Sequence, residues 1–114
     1  MTVLFAQGDL LIEVIDDLQP SGAIIPAAPD GAHVVAEGEV TGHRHIILDN
    51  VTMFRDDGLA RDIPHGLYVA HVRVDEPTAF LEHDEHDAIA LPRGTYRVRR
   101  QRELEPRDAR IVMD

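Results

Sequence analysis

The sequence predicts an all-β protein, a small antiparallel barrel or sandwich of about seven to nine short strands with little helix. Three observations carry that expectation. Short apolar runs rich in Val, Ile and Leu recur about every ten residues, each closed by Gly, Pro or Asp. No window longer than about ten residues keeps a 3.6-residue apolar stripe. The composition, 44% hydrophobic and 28% charged, is that of a chain able to bury a core. At 114 residues, with no repeat, linker or low-complexity tract, residues 1–114 read as a single domain.

Taken in order, residues 9–15 (DLLIEVI) form a first strand, followed by a turn at 19–22 and a Pro/Ala-rich loop at 26–31. Residues 33–37 and 43–48 are the next strands, with Gly38 and Gly42 at turns or bulges. Residues 51–54 form a short strand, and Arg55-Asp56-Asp57-Gly58 is a turn. The longest β-type run is 67–74. Residues 78–82, 88–91 and 95–101 follow as separate strands, and 110–113 closes the series. A single helical turn is placed at 106–109, where Pro106 suits a first helical position.

Alternation assigns faces. Tyr96 and Val98 share one face and point to the core, while Thr95, Arg97, Arg99 and Gln101 share the other and read as solvated. Arg100 and Arg102 fall on the core face. Either the strand leaves the core after Val98, or those arginines pair with buried carboxylates. His71 lies mid-strand with Leu67 and Val69 on its face and reads as a packed histidine.

Charge narrows the partners. The net charge is -10, and all 11 basic residues are arginine. Residues 1–92 hold four Arg against 17 acids, and residues 93–114 hold seven Arg against four. An acidic body repels phosphate, so nucleic-acid binding is not expected, and Arg93, Arg97 and Arg99 read as a surface stripe rather than an anion site. No apolar run is long enough to span a membrane, and the N-terminal stretch lacks a basic n-region and a cleavage site. A cytoplasmic protein without membrane contact is expected. A protein partner or a homo-oligomer stays open.

Several chemistries are excluded by residue type. Without cysteine there are no disulfides, thiolate ligands or cysteine nucleophiles, and without lysine there is no Schiff-base chemistry. The one serine, Ser21, sits in a Pro/Gly turn with no histidine near it in sequence. Nucleotide-binding glycine motifs and H-E-x-x-H are absent.

Seven histidines remain, and four fall in two tight pairs. In an extended strand His43 and His45 project to one side, with Cα atoms about 6.5–7 Å apart. Their imidazoles can then meet on one ion, since neutral imidazole suits Zn, Cu, Ni and Fe. The second pair lies in the acidic run Glu82-His83-Asp84-Glu85-His86-Asp87, read as a turn. The expected metal ligands are His43, His45 and His86, with His83 or Glu85 as alternates. Zinc is the first choice of ion, followed by Ni, Fe and Cu. Three protein ligands leave a position for water, so the chemistry expected is metal-assisted hydrolysis or hydration, with Glu82 or Glu85 as the candidate base. The alternative is a non-enzymatic interaction or accessory module that binds no metal.

Three blocks carry a resemblance. They are Gln7-Gly8-Asp9-Leu10-Leu11-Ile12, the stretch from Ala36-Glu37-Gly38 to Gly42-His43-Arg44-His45, and the stretch from Glu82-His83-Asp84-Glu85-His86 through Leu91-Pro92-Arg93-Gly94-Thr95-Tyr96 to Arg102-Glu103. In these the chain resembles a family of small uncharacterised bacterial proteins found also near phage-like genes. The resemblance implies a stand-alone domain and no particular reaction. In outline, H-x-H on one strand with further ligands on later strands also resembles the cupin pattern. The chain departs from it in having Ile46-Ile47-Leu48-Asp49, without Glu, after the H-x-H, and in lacking a Gly-Pro-His motif.

Overall fold

The structure is a computed structural model and describes residues 4–15, 21–37, 43–101 and 111–113, the last three by backbone only. Nine strands are present among these residues: β1 Leu4–Gln7, β2 Leu10–Val14, β3 Ala23–Ile25, β4 His33–Glu37, β5 Arg44–Ile47, β6 Val51–Arg55, β7 Tyr68–Glu82, β8 Ile89–Arg100 and β9 Ile111–Met113. The expected all-β class is met. One helical element is described, a 3-10 turn at Asp57–Leu59, where the sequence signals a turn. The helical turn expected at 106–109 lies outside the described residues. No helix among the described residues is long and apolar enough to cross a membrane.

The strands form one unclosed sheet in the order β3-β6-β7-β8-β2-β1-β9, with β4 and β5 joined to it through β7. All pairings are antiparallel except β1 with β9. The backbone of the sheet is the long β7–β8 ribbon. Residues 67–74 and 78–82, expected as two strands, are one strand, and so are 88–91 and 95–101. The break between them is a bulge: Val74 pairs with Gly94, and the next pair is Thr78 with Pro92, so three residues oppose one. Pro77 sits in that bulge, where its missing N–H costs no ladder bond.

The bulge also changes the neighbour on the far side of β7. Its first half pairs with β6 and its second half with β5. The sheet thereby wraps around one core. Leu10 and Ile12 of β2, Ile47 of β5, Met53 of β6, Val72 and Leu81 of β7, and Leu91 and Val98 of β8 all pack in it, each at most 2% exposed. The core is aliphatic, as the low aromatic content requires. Tyr96 is buried as alternation predicts, and its hydroxyl donates to the Pro92 carbonyl.

Two strands were not legible as strands. β1 precedes the expected first strand and forms a hairpin with β2 over the two-residue turn Gly8-Asp9. Gly8 has φ +59, the conformation such a turn asks of its first residue. β3 lies in the stretch between the expected turn and loop. It is admitted at the edge because Gly22 lets the chain run against β6: a Cβ there would stand 1.7 Å from the Arg55 carbonyl oxygen.

The outer face of β8 differs from the solvated stripe expected. Arg97 is only 12% exposed at its side chain. It donates to Glu13 Oε2 at 3.0 Å, to both oxygens of Asp62 at 2.7 and 3.0 Å, and to the Leu59 carbonyl at 3.0 Å. These bonds strap the 56–66 segment over the sheet, where Ala60 and Ile63 are buried. The planar fork of arginine makes such a multiply bonded hub feasible. His71 is fully buried beside it, in register between Phe54 and Arg97, with its Nδ1 hydrogen-bonded to the Tyr68 hydroxyl at 2.6 Å. That hydroxyl in turn accepts from the Asp56 N–H at 2.9 Å. Burial lowers the His71 pKa.

Arg97→Met leaves Glu13, whose side chain is 14% exposed, without its cation. The expected loss is about 2–4 kcal/mol, below that of a fully buried pair because one edge is wet. Urea unfolding measures it as a lower midpoint at unchanged slope. Adding Glu13→Gln should recover part of the loss.

Candidate metal centre

The two histidine pairs meet at one rim of the sheet. The join follows from register. Ile46 pairs with Glu82 and Ile47 with Leu81, so the entry to β5 lies beside the exit from β7. His43 stands just before β5, His45 stands within it, and both rings turn toward His83. Ring centroids are 5.8 Å apart for His43 and His83, 4.4 Å for His45 and His83, and 4.8 Å for His83 and His86. Both rings of the H-x-H segment thus come to His83, although the strand expected over 43–48 begins only after His43. Of the run 82–87 expected as a turn, Glu82 ends β7 and 83–87 lie outside the strands.

His83 is the centre of this cluster, with a side chain 6% exposed. Its Nδ1 accepts the Glu85 N–H at 3.0 Å. The neutral ring then carries its proton on Nε2, so His83 ligates an ion only after giving up that bond. His86 is exposed on the turn.

Three ligand-bearing residues come closest together on the outer side. One ligand atom each from His43, Asp84 and Glu85 lie within 4.8 Å of one another. His43 Nδ1 contacts the Asp84 carboxylate, and its Nε2 lies 3.4 Å from Glu85 Oε1. Among the described residues this is the triplet that meets that spacing; His43, His45 and His86 share the rim through His83 without reaching it. An open cavity of about 380 Å³ adjoins the triplet, lined by His43, Arg44, Ile46, Glu82, His83 and Asp84.

The inner side is built on the β1–β2 hairpin, which histidine spacing alone does not reveal. His45 is 3% exposed, and Gln7 is fully buried against it. Gln7 Oε1 lies 2.8 Å from His45 Nδ1, and Gln7 Nε2 donates to the carbonyls of Leu81 and Asp87, both at 2.9 Å. Asp9 Oδ1 stands 3.6 Å from His45 Nε2, and Asp9 Oδ2 pairs with Arg100 Nη1 at 2.5 Å. Arg100 also donates to the Glu37 carbonyl at 2.9 Å. Of the two core-face arginines, Arg100 thus reaches out to a rim carboxylate that is 51% exposed, rather than to a buried one, and Arg102 lies outside the described residues. The signal for this part was the Gln7-Gly8-Asp9 block, a glycine turn between two apolar runs.

Burial drives the His45 pKa down from 6.5 to about 4; His83, His86 and Arg100 push the same way and Asp9 opposes. In metal-free protein the unfolded chain takes up the His45 proton near pH 6.5 and the folded one only near pH 4. His45 therefore contributes stability that is complete above pH 6.5 and is lost as pH falls toward 4, at most about 3 kcal/mol. Unfolding followed between pH 4 and 7 with a chelator present should show this slope. His45→Asn, whose amide still donates to Gln7, should flatten it.

No curated protein and no solved structure matches the chain. A family model does, over residues 6–101, and its description is a domain of unknown function, DUF8820. The match runs from the β1–β2 hairpin to the end of β8 and takes in every residue of the rim described above. By that match the chain belongs to the DUF8820 family.

Proposed function

We propose that this protein binds a divalent transition metal at the histidine rim, zinc first, with Ni, Fe and Cu as other fits. The observation that carries the reading is the triplet His43, Asp84 and Glu85, with ligand atoms within 4.8 Å, set beside three further imidazoles. A mixed nitrogen and carboxylate set suits zinc and its neighbours. His45 and His86 are the further ligands of this rim, and His83 is the alternate.

An ion held by three side chains keeps a position for water and lowers that water's pKa toward 7. Glu82 lines the adjoining cavity, which supports it as the base that takes a proton; Glu85 takes that part where it is not a ligand. The reaction class this supports is hydrolysis or hydration. A cysteine-free chain of this composition fits a bacterial cytoplasmic setting, in keeping with the resemblance drawn from its sequence blocks.

One observation favours a second reading, an interaction module. Leu48 and Phe80 are 60% and 45% exposed, and they follow the Ile47–Leu81 pair along the β5–β7 register. Such a patch is a docking surface of modest size.

Calorimetric titration of untagged protein with Zn²⁺ separates the two. The metal reading expects stoichiometric binding and a raised melting temperature, and expects His43→Ala or Asp84→Asn to weaken binding at the triplet at least about tenfold. Absence of stoichiometric metal with no change in melting temperature supports the module instead.

A further inference from the structure

The hydrogen-bond chemistry around Gln7 settles which atom of His45 faces the rim. The carbonyls of Leu81 and Asp87 can only accept, so the Gln7 atom 2.9 Å from both must be its NH₂ group. The other amide atom is then the oxygen, which also can only accept. It lies 2.8 Å from His45 Nδ1, so that nitrogen carries the ring proton. In the neutral ring Nε2 is left with a bare lone pair.

That lone pair faces a second acceptor. Asp9 Oδ1 is 3.6 Å away, too far for a hydrogen bond. Two acceptors held opposite each other repel unless a cation lies between them. Their separation is close to that of two ligands on a tetrahedral ion, about 3.3 Å for bonds of 2.0–2.1 Å. The hairpin packs closely here: a Cβ at Gly8 would stand 2.9 Å from His86 Nε2 and 3.4 Å from His45 Cε1, so the glycine that the turn requires also lets both imidazoles approach the hairpin.

We infer that the rim has a second, inner metal seat, formed by His45 Nε2 and Asp9 Oδ1 beside the His83 ring, whose centroid lies 4.4 Å from that of His45, and that Gln7 is the positioning residue that turns the His45 lone pair into it. The seat shares no ligand with the His43, Asp84, Glu85 triplet, so each can fail alone. Gln7 acts as the partners of metal-ligating histidines commonly do, fixing ring orientation and tautomer through the nitrogen that does not bind the ion.

Two measurements test this. Long-range proton–nitrogen NMR on metal-free protein reads the His45 tautomer directly. The expected result is a proton on Nδ1 and a bare Nε2; a proton on Nε2 overturns the inference whatever the metal does. Zinc calorimetry then counts the seats. Wild type should bind two equivalents, Asp9→Asn one, and His43→Ala one. Arg100→Gln, which loses the same Asp9 ion pair but keeps the carboxylate, should still bind two. Gln7→Met should weaken the inner equivalent about 10–100-fold; where that variant does not fold, Asp9→Asn and Arg100→Gln decide. One equivalent in wild type that Asp9→Asn leaves unchanged overturns the inner seat and keeps the outer triplet. One equivalent lost in Asp9→Asn but kept in His43→Ala supports the inner seat and sinks the triplet. No binding at all overturns both.

Discussion

The carboxamide of Gln7 holds the rim together. It is fully buried, and all its bonds run to other segments: to His45 in β5, to the Leu81 carbonyl near the end of β7, and to the Asp87 carbonyl at the end of the histidine turn. A buried amide left unbonded is costly, so these three segments are held to one arrangement. Backbone ladders alone would not do this. Their periodicity fixes which face His45 points to, but not its ring rotation or which nitrogen is bare. A single polar side chain from β1 therefore links the local sheet geometry to the chemistry the rim can perform.

What brings β5 to that rim is the bulge in β7. Without it, one neighbour would run along the whole 15-residue strand. The three residues of β7 that oppose one on β8 end the pairing with β6 and let β5 take over. His43 and His45 then lie beside His83, some 40 residues away in sequence. The same irregularity lets one sheet enclose a core without closing into a barrel. Fold and site thus share a cause, a local excess of chain around Pro77.

How much of this was legible follows from what periodicity can encode. The β class, the Tyr96 and Val98 core face, the buried His71 and the shared side of His43 and His45 all come from alternation or from Pro/Gly spacing, which sequence displays directly. Strand continuity does not. A bulge and a strand end both read as Asp-Glu-Pro, so β7 looked like two strands, and β8 like two more around Pro92 and Gly94. β3 was hidden because its three residues carry no alternation of their own and owe their place to the closeness of Gly22 to β6. The burial of Arg97 was hidden for a different reason. An arginine on an outward face reads as solvated unless one knows that Glu13 and a strap bearing Asp62 come to meet it, contacts that span 84 and 35 residues. Within the rim, the histidines announced themselves by spacing, whereas Gln7 and Asp9 act through long-range contacts that residue type alone does not signal.

On the proposed reading, the electrostatics of the rim favour a metal ion over a proton at the same lone pair. A proton on His45 would be desolvated and would meet the rings of His83 and His86 and the Arg100 guanidinium, with Asp9 alone in its favour. A divalent ion in that place has more to gain. As proposed, it would draw on the Asp9 carboxylate together with the imidazole, spreading its charge over more than one ligand where a proton satisfies one. The rest of the chain adds to this, because a net charge of -10 raises the local concentration of any cation near the surface. Arg100 limits the effect by pairing with Asp9, and so holds the carboxylate in place while weakening its pull on a proton. The arrangement keeps His45 neutral, and therefore able to ligate, across the pH range in which an exposed imidazole would already be half protonated.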